Sequence, residues 1–358
     1  MRHLLLSCDA VGGVWQYSTD LARALEPHGY QVTLAVMGPA PDEAQRADAA
    51  TIANLHLVET GLELEWLAAE PAPVLAAEAR LAEMAGDLHA DIVQLHTPAL
   101  VANGRYSCPV VAVQHSCVAT WWAAVHGGPM PHDFAWRTDL VARGLKRATL
   151  AITPSAAFAQ AVRRVYGVTP VAVHNGRDIA VPAGGPMKDH VFTAGRLWDE
   201  GKNVHILDEA ATRLSAPFFA AGSTRAPHGA ALVLDAITPL GNLDAAALAE
   251  RLSQRPVFAS AALYEPFGLA VLEAAIAGCA LVLSDIETFR ELWDGAAIFV
   301  DPRDPAAFAR AIEQLLQNRP ARIAAGQAAQ DRARRYSPAA MAAAMAAHYA
   351  TAERRVAA

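Results

Sequence analysis

Short apolar runs rich in Val, Ile and Leu alternate with longer Ala-rich stretches along almost the whole chain. Short runs bounded by polar residues or Gly predict buried strands, and stretches with apolar residues three and four positions apart predict helices. The strand candidates are HLLLSC, QVTLAVMG, NLHLVET, DIVQLH, PVVAVQHS, ATLAITPS and VAVHNG in the first half, and HVFTAGR, PFFAAGS, ALVLDA, PVFASA, ALVLSD and AAIFVD in the second. This alternation is typical of βαβ units around parallel sheets.

A change in composition separates the two series of predicted strands. Residues 177–190, RDIAVPAGGPMKDH, contain two Pro and a Gly pair and show little periodicity, which predicts a linker near residues 179–189. A chain of 358 residues also exceeds the size at which one hydrophobic core usually stops growing. We therefore predict an α/β protein with two doubly wound, Rossmann-like parallel-sheet domains, residues 1–180 and 181–335.

The last stretch, SPAAMAAAMAAHYATAERR, predicts a terminal helix. Ser337 suits the N-cap and Pro338 the first helical position, where the missing N–H is not needed. Met341, Met345 and Tyr349 recur on one face at helical spacing, so we expect them to pack against a core and not to bind a ligand.

Composition and charge exclude some classes of function. The chain is 53% hydrophobic and 18% charged, which is typical of a folded globular protein. Its net charge of -7 argues against a nucleic-acid partner, which would need a positive field over one face. The segment RTDLVARGLKRATLAITPS is locally basic; a solvated helix face is the favoured interpretation, and a membrane-surface or acidic-acceptor patch is the alternative.

The cysteines and the N-terminus bear on location. Cys8, Cys108, Cys117 and Cys279 are widely spaced and form no Cys-x-x-Cys pair, so we interpret them as core residues of a reduced protein and not as disulfides or zinc ligands. The N-terminal apolar run is too short for a secretory signal. We expect a cytoplasmic protein, with peripheral association at the inner face of a membrane left open and the oligomeric state not indicated.

A glycine pair follows the first predicted strand. Gly12 and Gly13 precede the helical pattern VWQYSTDLARAL, so the backbone can turn sharply there and approach a ligand at a helix N-terminus. The pair is not a Gly-x-Gly-x-x-Gly fingerprint, which weakens a nicotinamide dinucleotide interpretation. A plain tight turn is the alternative.

Two cations follow the first strand of the second half. In VFTAGRLWDEGKNVHIL the strand ends at Gly195, and Arg196 and Lys202 lie in the loop before the next helix. A guanidinium and an ammonium at the carboxyl end of a strand suit a diphosphate. A solvated turn, with Asp199 and Glu200 nearby, explains the same residues equally well.

The segment YEPFGLAVLEAAIAG places two glutamates around a predicted loop-to-helix junction. Glu265 lies in the loop and Glu273 about one turn into the helix, so the backbone N–H groups of Phe267, Gly268 and Leu269 would be donors at the helix start. Carboxylates there can accept hydrogen bonds from sugar and ribose hydroxyls. An exposed cap and a salt-bridge partner are the alternative roles.

Histidines end two predicted strands of the first half. His96 follows DIVQL and His115 follows VVAVQ, and side chains at the carboxyl ends of parallel strands face the expected binding edge. A structural role is favoured for His96. His115, followed by Trp121 and Trp122 as candidate acceptor-facing side chains, is the stronger candidate for substrate contact.

Taken in order, these motifs resemble the retaining glycosyltransferases of the GT-B fold, specifically glycosyltransferase family 4, or glycosyl transferases group 1. The resemblance covers nearly the whole chain and rests on AVGGVW, VQHS, TPS, VHNGRD, GRLWDEGKN, YEPFGLAVLEAAIAGCALVLSD and RELWDGAAIFVDPRDP. The family's best-known mark, two glutamates separated by seven residues, is met by Glu265 and Glu273. It also implies that residues 336–358 form a helix that returns to the first domain.

The resemblance implies transfer of a hexosyl unit from a UDP- or GDP-linked sugar to a hydroxyl acceptor, with retention of configuration. The second domain would bind the donor and the first the acceptor. The implied catalytic residues are His115, Glu265, Arg196 and Lys202. The implied donor contacts are Gly12, Gly13, Arg196, Lys202, Glu265, Phe267, Gly268, Leu269 and Glu273, and the acceptor candidates are Trp15, His115, Trp121 and Trp122.

The resemblance implies no cofactor and no metal, and the chain contains no Asp-x-Asp. It departs from the family's pattern at Ala261 and Ala262, where Pro-Ser is frequent, and at Arg177, where Val is usual in Asn-Gly-Val-Asp. Two alternatives stay open: a nucleotide-sugar epimerase of the same architecture, and a non-catalytic protein that binds nucleotide sugars. The acceptor class also stays open among polysaccharides, glycolipids and small glycosides.

Overall fold

The computed structural model describes residues 1–182, 185–226, 229 and 231–357. Unit 1 comprises Met1–Gly176 and Pro338–Ala358, and unit 2 comprises Arg177–Ser337. The chain thus enters unit 2 close to the predicted boundary at residue 180 and re-enters unit 1 close to the predicted boundary at 335. Residues 183 and 184 of the predicted linker, and residue 358 of the predicted terminal helix, lie outside the described residues.

Unit 1 is built on a parallel sheet, as the sequence predicts. Its described strands pair in the order β3-β2-β1-β4-β5-β6-β7. The strands are β1 Arg2–Asp9, β2 Tyr30–Met37, β3 Leu55–Glu59, β4 Ile92–Leu95, β5 Val110–Val113, β6 Leu150–Thr153 and β7 Val171–Ala172. The order reverses between β1 and β4, which is where ligands of doubly wound sheets bind.

Helices connect these strands. They are α1 Gly13–Leu25, α2 Glu43–Ala50, α3 Pro71–Asp87, α4 Val118–Val125, α5 Ala135–Arg147 and α6 Ala156–Tyr166, with 3-10 turns at Glu26–His28, Pro98–Val101 and His132–Phe134. Side chains cap several of them: Asp42 and Gln45 form a reciprocal capping box at α2, and the Ser155 hydroxyl accepts from the Phe158 N–H at α6.

Unit 2 is built on a second parallel sheet. Its described strands pair in the order β10-β9-β8-β11-β12-β13. The strands are β8 Val191–Ala194, β9 Phe218–Ala221, β10 Thr238–Pro239, β11 Val257–Ser260, β12 Ala280–Ser284 and β13 Ile298–Val300. Alternate residues point to opposite faces: Phe258 joins one apolar cluster, and Val257 and Ala259 join the other.

One predicted strand is wrong. The segment ALVLDA, residues 231–236, makes only an isolated bridge between Ala231 and Arg225, and the strand β10 follows it. The carboxylate of Asp208 accepts hydrogen bonds from the backbone N–H groups of Asp235, Ala236 and Ile237. A side chain therefore satisfies the N–H donors at the end of this segment, where a sheet ladder would otherwise have used them.

The helices of unit 2 are α7 Val204–Ala211, α8 Ala245–Ser253, α9 Leu269–Ile276, α10 Glu287–Trp293, α11 Pro305–Gln317 and α12 Arg319–Ala333, with a 3-10 turn at Glu200–Lys202. The chain then forms α13 Pro338–Ala357, which belongs to unit 1. Within the described ranges, no helix combines the length and the apolar character needed to cross a membrane.

The terminal helix α13 packs into the core of unit 1. Met341, Met345 and Tyr349 are buried there, as predicted. The hydroxyl of Tyr349 donates to the Oε1 atom of fully buried Gln94 on β4, and Nε2 of Gln94 donates to the Tyr17 hydroxyl at 3.4 Å. The last helix is therefore joined by hydrogen bonds through the sheet to α1.

Basic residues of α5 donate hydrogen bonds to neighbouring segments. Arg137 donates to the backbone carbonyls of Glu65 and Ala68, and Arg147 donates to the carbonyl of Asn103 at 2.9 Å. Since carbonyl oxygens of loops satisfy these guanidinium groups, part of the local positive charge has a structural role.

We expect Tyr349→Phe to lower the free energy of unfolding of unit 1 by about 1–3 kcal/mol, because it leaves the Oε1 atom of buried Gln94 without its donor. Denaturant unfolding followed by tryptophan fluorescence measures the change. Thr351→Val is the control, since the Thr351 hydroxyl donates to the Ala347 carbonyl within the same helix. Equal stability of Tyr349→Phe and the wild type would contradict the role of this hydrogen bond.

Candidate functional site

An open cavity lies in unit 2 at the carboxyl ends of β8 and β11. The residues that line it include Gly195, Lys202, Ser260, Glu265 and Ala270. Three of these are polar or charged, and the first turn of α9 borders the same space. The position matches the general location of ligand sites in parallel α/β sheets.

The loop after β8 has a fixed conformation that places Lys202. The Asp199 carboxylate caps the 3-10 turn by accepting from the Gly201 N–H. Asn203 then adopts a left-handed conformation with φ 55°, and its buried side-chain amide donates to the carbonyls of Ala261 at 2.9 Å and Pro302 at 2.7 Å. The amide thus ties this loop to two others, a role that sequence reasoning missed.

A second connection joins this loop to the segment that carries Glu265. The carbonyl of Gly201 accepts hydrogen bonds from the backbone N–H groups of Leu263 at 2.9 Å and Tyr264 at 3.2 Å. Backbone contacts therefore bring Lys202 and Glu265 together although they are 63 positions apart in the sequence. The positions of Lys202 and Glu265 are therefore set by backbone hydrogen bonds as well as by the attraction between their charges.

Lys202 and Glu265 form an ion pair at the cavity. Their Nζ and Oε2 atoms lie 2.5 Å apart, and their side chains are 21% and 15% exposed. An ammonium has three donors, so Lys202 can keep this carboxylate and still donate to another oxygen. The partly buried pair is screened less by salt than a surface pair.

Arg196 stands at the exposed edge of the same loop. Its Nη2 atom lies 2.9 Å from Asp199, and its side chain is 57% exposed. The carbonyl of the preceding residue, Gly195, is packed against Gly222, where a Cβ atom would lie 1.8 Å from that oxygen. The glycine at 222 therefore allows the loops after β8 and β9 to approach each other.

The turn before α9 requires glycine. Gly268 is the N-cap residue and has φ 94°, and a Cβ there would lie 3.3 Å from both Glu265 and Phe289. Phe267 is buried, with its ring edge-to-face against Tyr336 at 5.7 Å between centroids. Among the described residues, the backbone N–H groups of Gly268 and Leu269 have no protein acceptor, so both can donate to a ligand.

Glu273 is engaged by a residue that was not among the predicted donor contacts. Its Oε1 atom lies 2.9 Å from the Nε atom of Arg177, and the side chains are 11% and 12% exposed. The sequence showed Arg177 only as a departure from the family's pattern. The structure makes it the ion-pair partner of the second glutamate.

In unit 1 the glycine pair begins α1 as predicted. Gly12 has φ 94° and ψ -142°, a conformation that essentially only glycine adopts, and Gly13 is the first helical residue. The prediction that Trp15, one turn further along α1, faces an acceptor needs correction. Trp15 is 2% exposed and packs in the apolar core of unit 1, so its ring is not on an acceptor-facing surface.

His96 and His115 lie side by side at the ends of β4 and β5. Nδ1 of His96 lies 2.7 Å from Nε2 of His115, and the ring of Tyr17 makes edge contacts with both. Burial lowers the pKa of His115 to about 4. Burial, and then the neighbouring His115, hold the pKa of His96 well below its ordinary value. Both imidazoles are therefore neutral near pH 7.

Trp121 and Trp122 belong to an aromatic cluster on α4. Their ring centroids are 6.3 Å apart, and His126 lies 5.2 Å from the first ring and 4.3 Å from the second. Phe134 extends the cluster at 6.1 Å from Trp122. Both indoles are half-buried.

The structure thus assembles the predicted residues into two groups. Unit 2 brings together Gly195, Arg196, Lys202, Glu265 and the start of α9, and unit 1 brings together the two histidines. Within the described part of the chain, no three His, Cys, Asp or Glu residues are arranged to hold a metal ion. That the chemistry needs no metal stays a prediction.

Two family models match the chain in succession. The model described as Glycosyltransferase Family 4 matches residues 11–181, and the model described as Glycosyl transferases group 1 matches residues 188–318. A curated relative, glycogen synthase from Mycobacterium tuberculosis (strain CDC 1551 / Oshkosh), is 26% identical over 379 residues, which cover 93% of this chain and 90% of the relative.

Solved structures resemble the chain over nearly its whole length. Sucrose-phosphate synthase from Thermosynechococcus elongatus has a TM-score of 0.78 and 16% identity, covering 98% of this chain and 99% of its own. Anabaena Alr3699/HepE in complex with UDP and glucose has a TM-score of 0.73 and 16% identity, covering 98% and 100%. This likeness confirms the predicted GT-B fold. The two successive family matches, which together span most of the chain, show that it belongs to the glycosyltransferases of family 4 and group 1.

Proposed function

We propose that the protein transfers a hexosyl unit from a UDP- or GDP-linked sugar to a hydroxyl acceptor, with retention of configuration and without a divalent metal. Unit 2 binds the donor in this proposal, and unit 1 binds the acceptor. The acceptor belongs to polysaccharide, glycolipid or small-glycoside synthesis in the cytoplasm.

One observation carries the proposal. The Lys202–Glu265 ion pair and the donor end of α9 border the same cavity of unit 2. A diphosphate needs cations and N–H donors, whereas a sugar needs carboxylate acceptors for its hydroxyls. Both kinds of group are present there within one ligand's reach.

Relatives support the choice of donor. The matched glycogen synthase is named for synthesis of a polysaccharide, and Alr3699/HepE has been solved with UDP and with UDP-glucose. These names favour a nucleoside-diphosphate sugar as the donor of this chain.

The chemical step follows from where charge develops. As the bond between the anomeric carbon and the phosphate oxygen breaks, the sugar becomes oxocarbenium-like and the diphosphate gains negative charge. Lys202, Arg196 and the amides at the start of α9 stabilise that charge more in the transition state than in the ground state. The acceptor oxygen bonds to the anomeric carbon, and its proton leaves with the nucleoside diphosphate.

Each glutamate has a separate task in this proposal. Glu265 accepts hydrogen bonds from the transferred sugar and holds Lys202 in place, so it acts by position and charge and is not a covalent nucleophile. Glu273 accepts from the ribose hydroxyls, and the ion pair with Arg177 keeps its carboxylate oriented. In unit 1, Gly12 and Gly13 are the candidate donor contacts, His115 is the candidate sugar contact, and Trp121 and Trp122 are the candidate acceptor contacts.

A thermal-shift panel of nucleotide sugars tests the proposal, because a ligand that binds only the folded state raises its apparent stability. We expect UDP- or GDP-sugars to raise the melting temperature and product assays with the best donor to show transfer, unaffected by EDTA. No shift with any UDP, GDP or ADP compound would contradict it. Donor epimerised without transfer would favour an epimerase, and binding without turnover would favour a non-catalytic protein.

We expect Glu265→Gln to lower kcat by about 100-fold or more while the affinity for the nucleoside diphosphate changes little, since the carboxylate acts mainly on the transferred sugar. Steady-state kinetics and calorimetry measure the two effects. Glu250→Gln, an exposed carboxylate on α8 of the same unit, is the matched control. An unchanged kcat in Glu265→Gln would remove this residue from the proposed machinery.

We expect Lys202→Gln to weaken binding of the nucleoside diphosphate about 10- to 100-fold and binding of the corresponding nucleoside hardly at all, because the ammonium acts on phosphate oxygens. Calorimetry with both ligands separates these effects. Lys188→Gln removes an exposed ammonium elsewhere in unit 2 and should change neither affinity. Equal losses for both ligands would indicate damage to the fold of the loop.

A further inference from the structure

The histidine pair of unit 1 continues into a chain of hydrogen bonds that ends in helix α1. Nε2 of His96 lies 3.2 Å from the hydroxyl oxygen of Ser18, and that oxygen lies 2.7 Å from the backbone carbonyl of Val14. Ser18 is completely buried. With the contact to His115 at 2.7 Å, four groups are linked in one line: Val14, Ser18, His96 and His115.

The carbonyl oxygen of Val14, at one end of this chain of hydrogen bonds, determines where the protons of Ser18 and His96 lie. Two oxygens at 2.7 Å need a hydrogen between them, and a carbonyl oxygen carries none. The single hydroxyl proton of Ser18 therefore points to Val14, and the Ser18 oxygen is left as an acceptor. The nitrogen that faces this oxygen, Nε2 of His96, must then be the donor.

The same reasoning fixes the next ring. A neutral imidazole has one N–H, so Nδ1 of His96 has a lone pair once its Nε2 is protonated. Nδ1 lies 2.7 Å from Nε2 of His115, and a contact of that length also needs a proton. The proton therefore belongs to Nε2 of His115, and Nδ1 of His115 carries a lone pair. Among the described residues, Nδ1 of His115 has no hydrogen-bond partner.

Neighbouring aromatic contacts hold the rings in this orientation. The ring of Tyr17 meets His96 at 5.2 Å and His115 at 4.6 Å between centroids, at angles of 85° and 70°. The Tyr17 hydroxyl in turn accepts from Gln94, which accepts from Tyr349 on α13. Because both nitrogens of His96 are engaged and Tyr17 covers the pair, a turned ring would lose these contacts.

We propose that Ser18 and His96 are positioning residues that fix the tautomer of His115, so that its Nδ1 atom is a hydrogen-bond acceptor. This inference rests on the proposed function only in assigning a substrate hydroxyl as the donor to that atom. A ring of this tautomer cannot donate from Nδ1 to a phosphate oxygen, so His115 selects a hydroxyl. Since the low pKa of His115 makes it a weak base near pH 7, it orients that hydroxyl and does not remove its proton.

The test is nitrogen NMR of the full chain with ¹⁵N-labelled histidine, in which long-range proton couplings distinguish the two tautomers of each ring. His115→Asn identifies the His115 signals. We expect the Nε2–H tautomer of His115 in the wild type and a mixture of tautomers in Ser18→Ala, where Nε2 of His96 has no acceptor. Thr19→Ala is the matched control, because the buried Thr19 hydroxyl donates to the Trp15 carbonyl and not to a histidine.

Ser18→Thr keeps the hydroxyl and should therefore show the wild-type tautomer in the same NMR measurement. Transfer kinetics give a second readout: we expect kcat/KM of Ser18→Ala to fall about 3- to 10-fold. A protonated Nδ1 of His115 in the wild type, or the same tautomer in the wild type and Ser18→Ala, would overturn the inference. The expected tautomers without transfer to any acceptor would contradict the proposed function and leave the tautomer assignment standing.

Discussion

In both sheets every described strand runs parallel to its neighbours, and this direction decides where the chemistry can be. Parallel strands end at the same edge, so loops distant in sequence meet there. In unit 2 the edge brings the loop after β8 to the loop before α9, and in unit 1 it brings His96 to His115. Mostly apolar side chains cover both faces of the strands, which leaves the residues just beyond their ends available for binding.

Charge in unit 2 is arranged in pairs. Lys202 faces Glu265, Arg177 faces Glu273 and Arg196 faces Asp199. Pairing reduces the cost of holding partly buried charges. A ligand with phosphate oxygens and hydroxyls can join such pairs without separating them, because an ammonium, a guanidinium and a carboxylate each have more hydrogen-bonding positions than one partner occupies. These pairs thereby fix the side chains of the candidate site.

In unit 1, buried polar groups are connected in lines of hydrogen bonds. A line of hydrogen bonds runs from α13 through Gln94 to Tyr17, and another runs from α1 through Ser18 to the histidines. The two lines meet where the ring of Tyr17 covers both imidazoles. The terminal helix therefore does more than close an apolar core: through Tyr349 and Gln94 it supports the ring that packs against the histidine pair.

The sequence by itself determined the class of fold, nearly all the strands, the terminal helix and the glycine-dependent turns at Gly12 and Gly268, because periodicity and φ preference are local properties. It also selected Lys202 and Glu265. Local pattern failed where a distant side chain intervened, as Asp208 does at ALVLDA, and where burial depends on neighbours, as it does for Trp15. Only the tertiary structure decided the partners: Arg177 for Glu273, Asn203 for two loops, and Ser18 for His96. A hydrogen bond or an ion pair depends on a separation of about 3 Å between two atoms, and residues far apart in the chain reach that separation only when the whole unit folds.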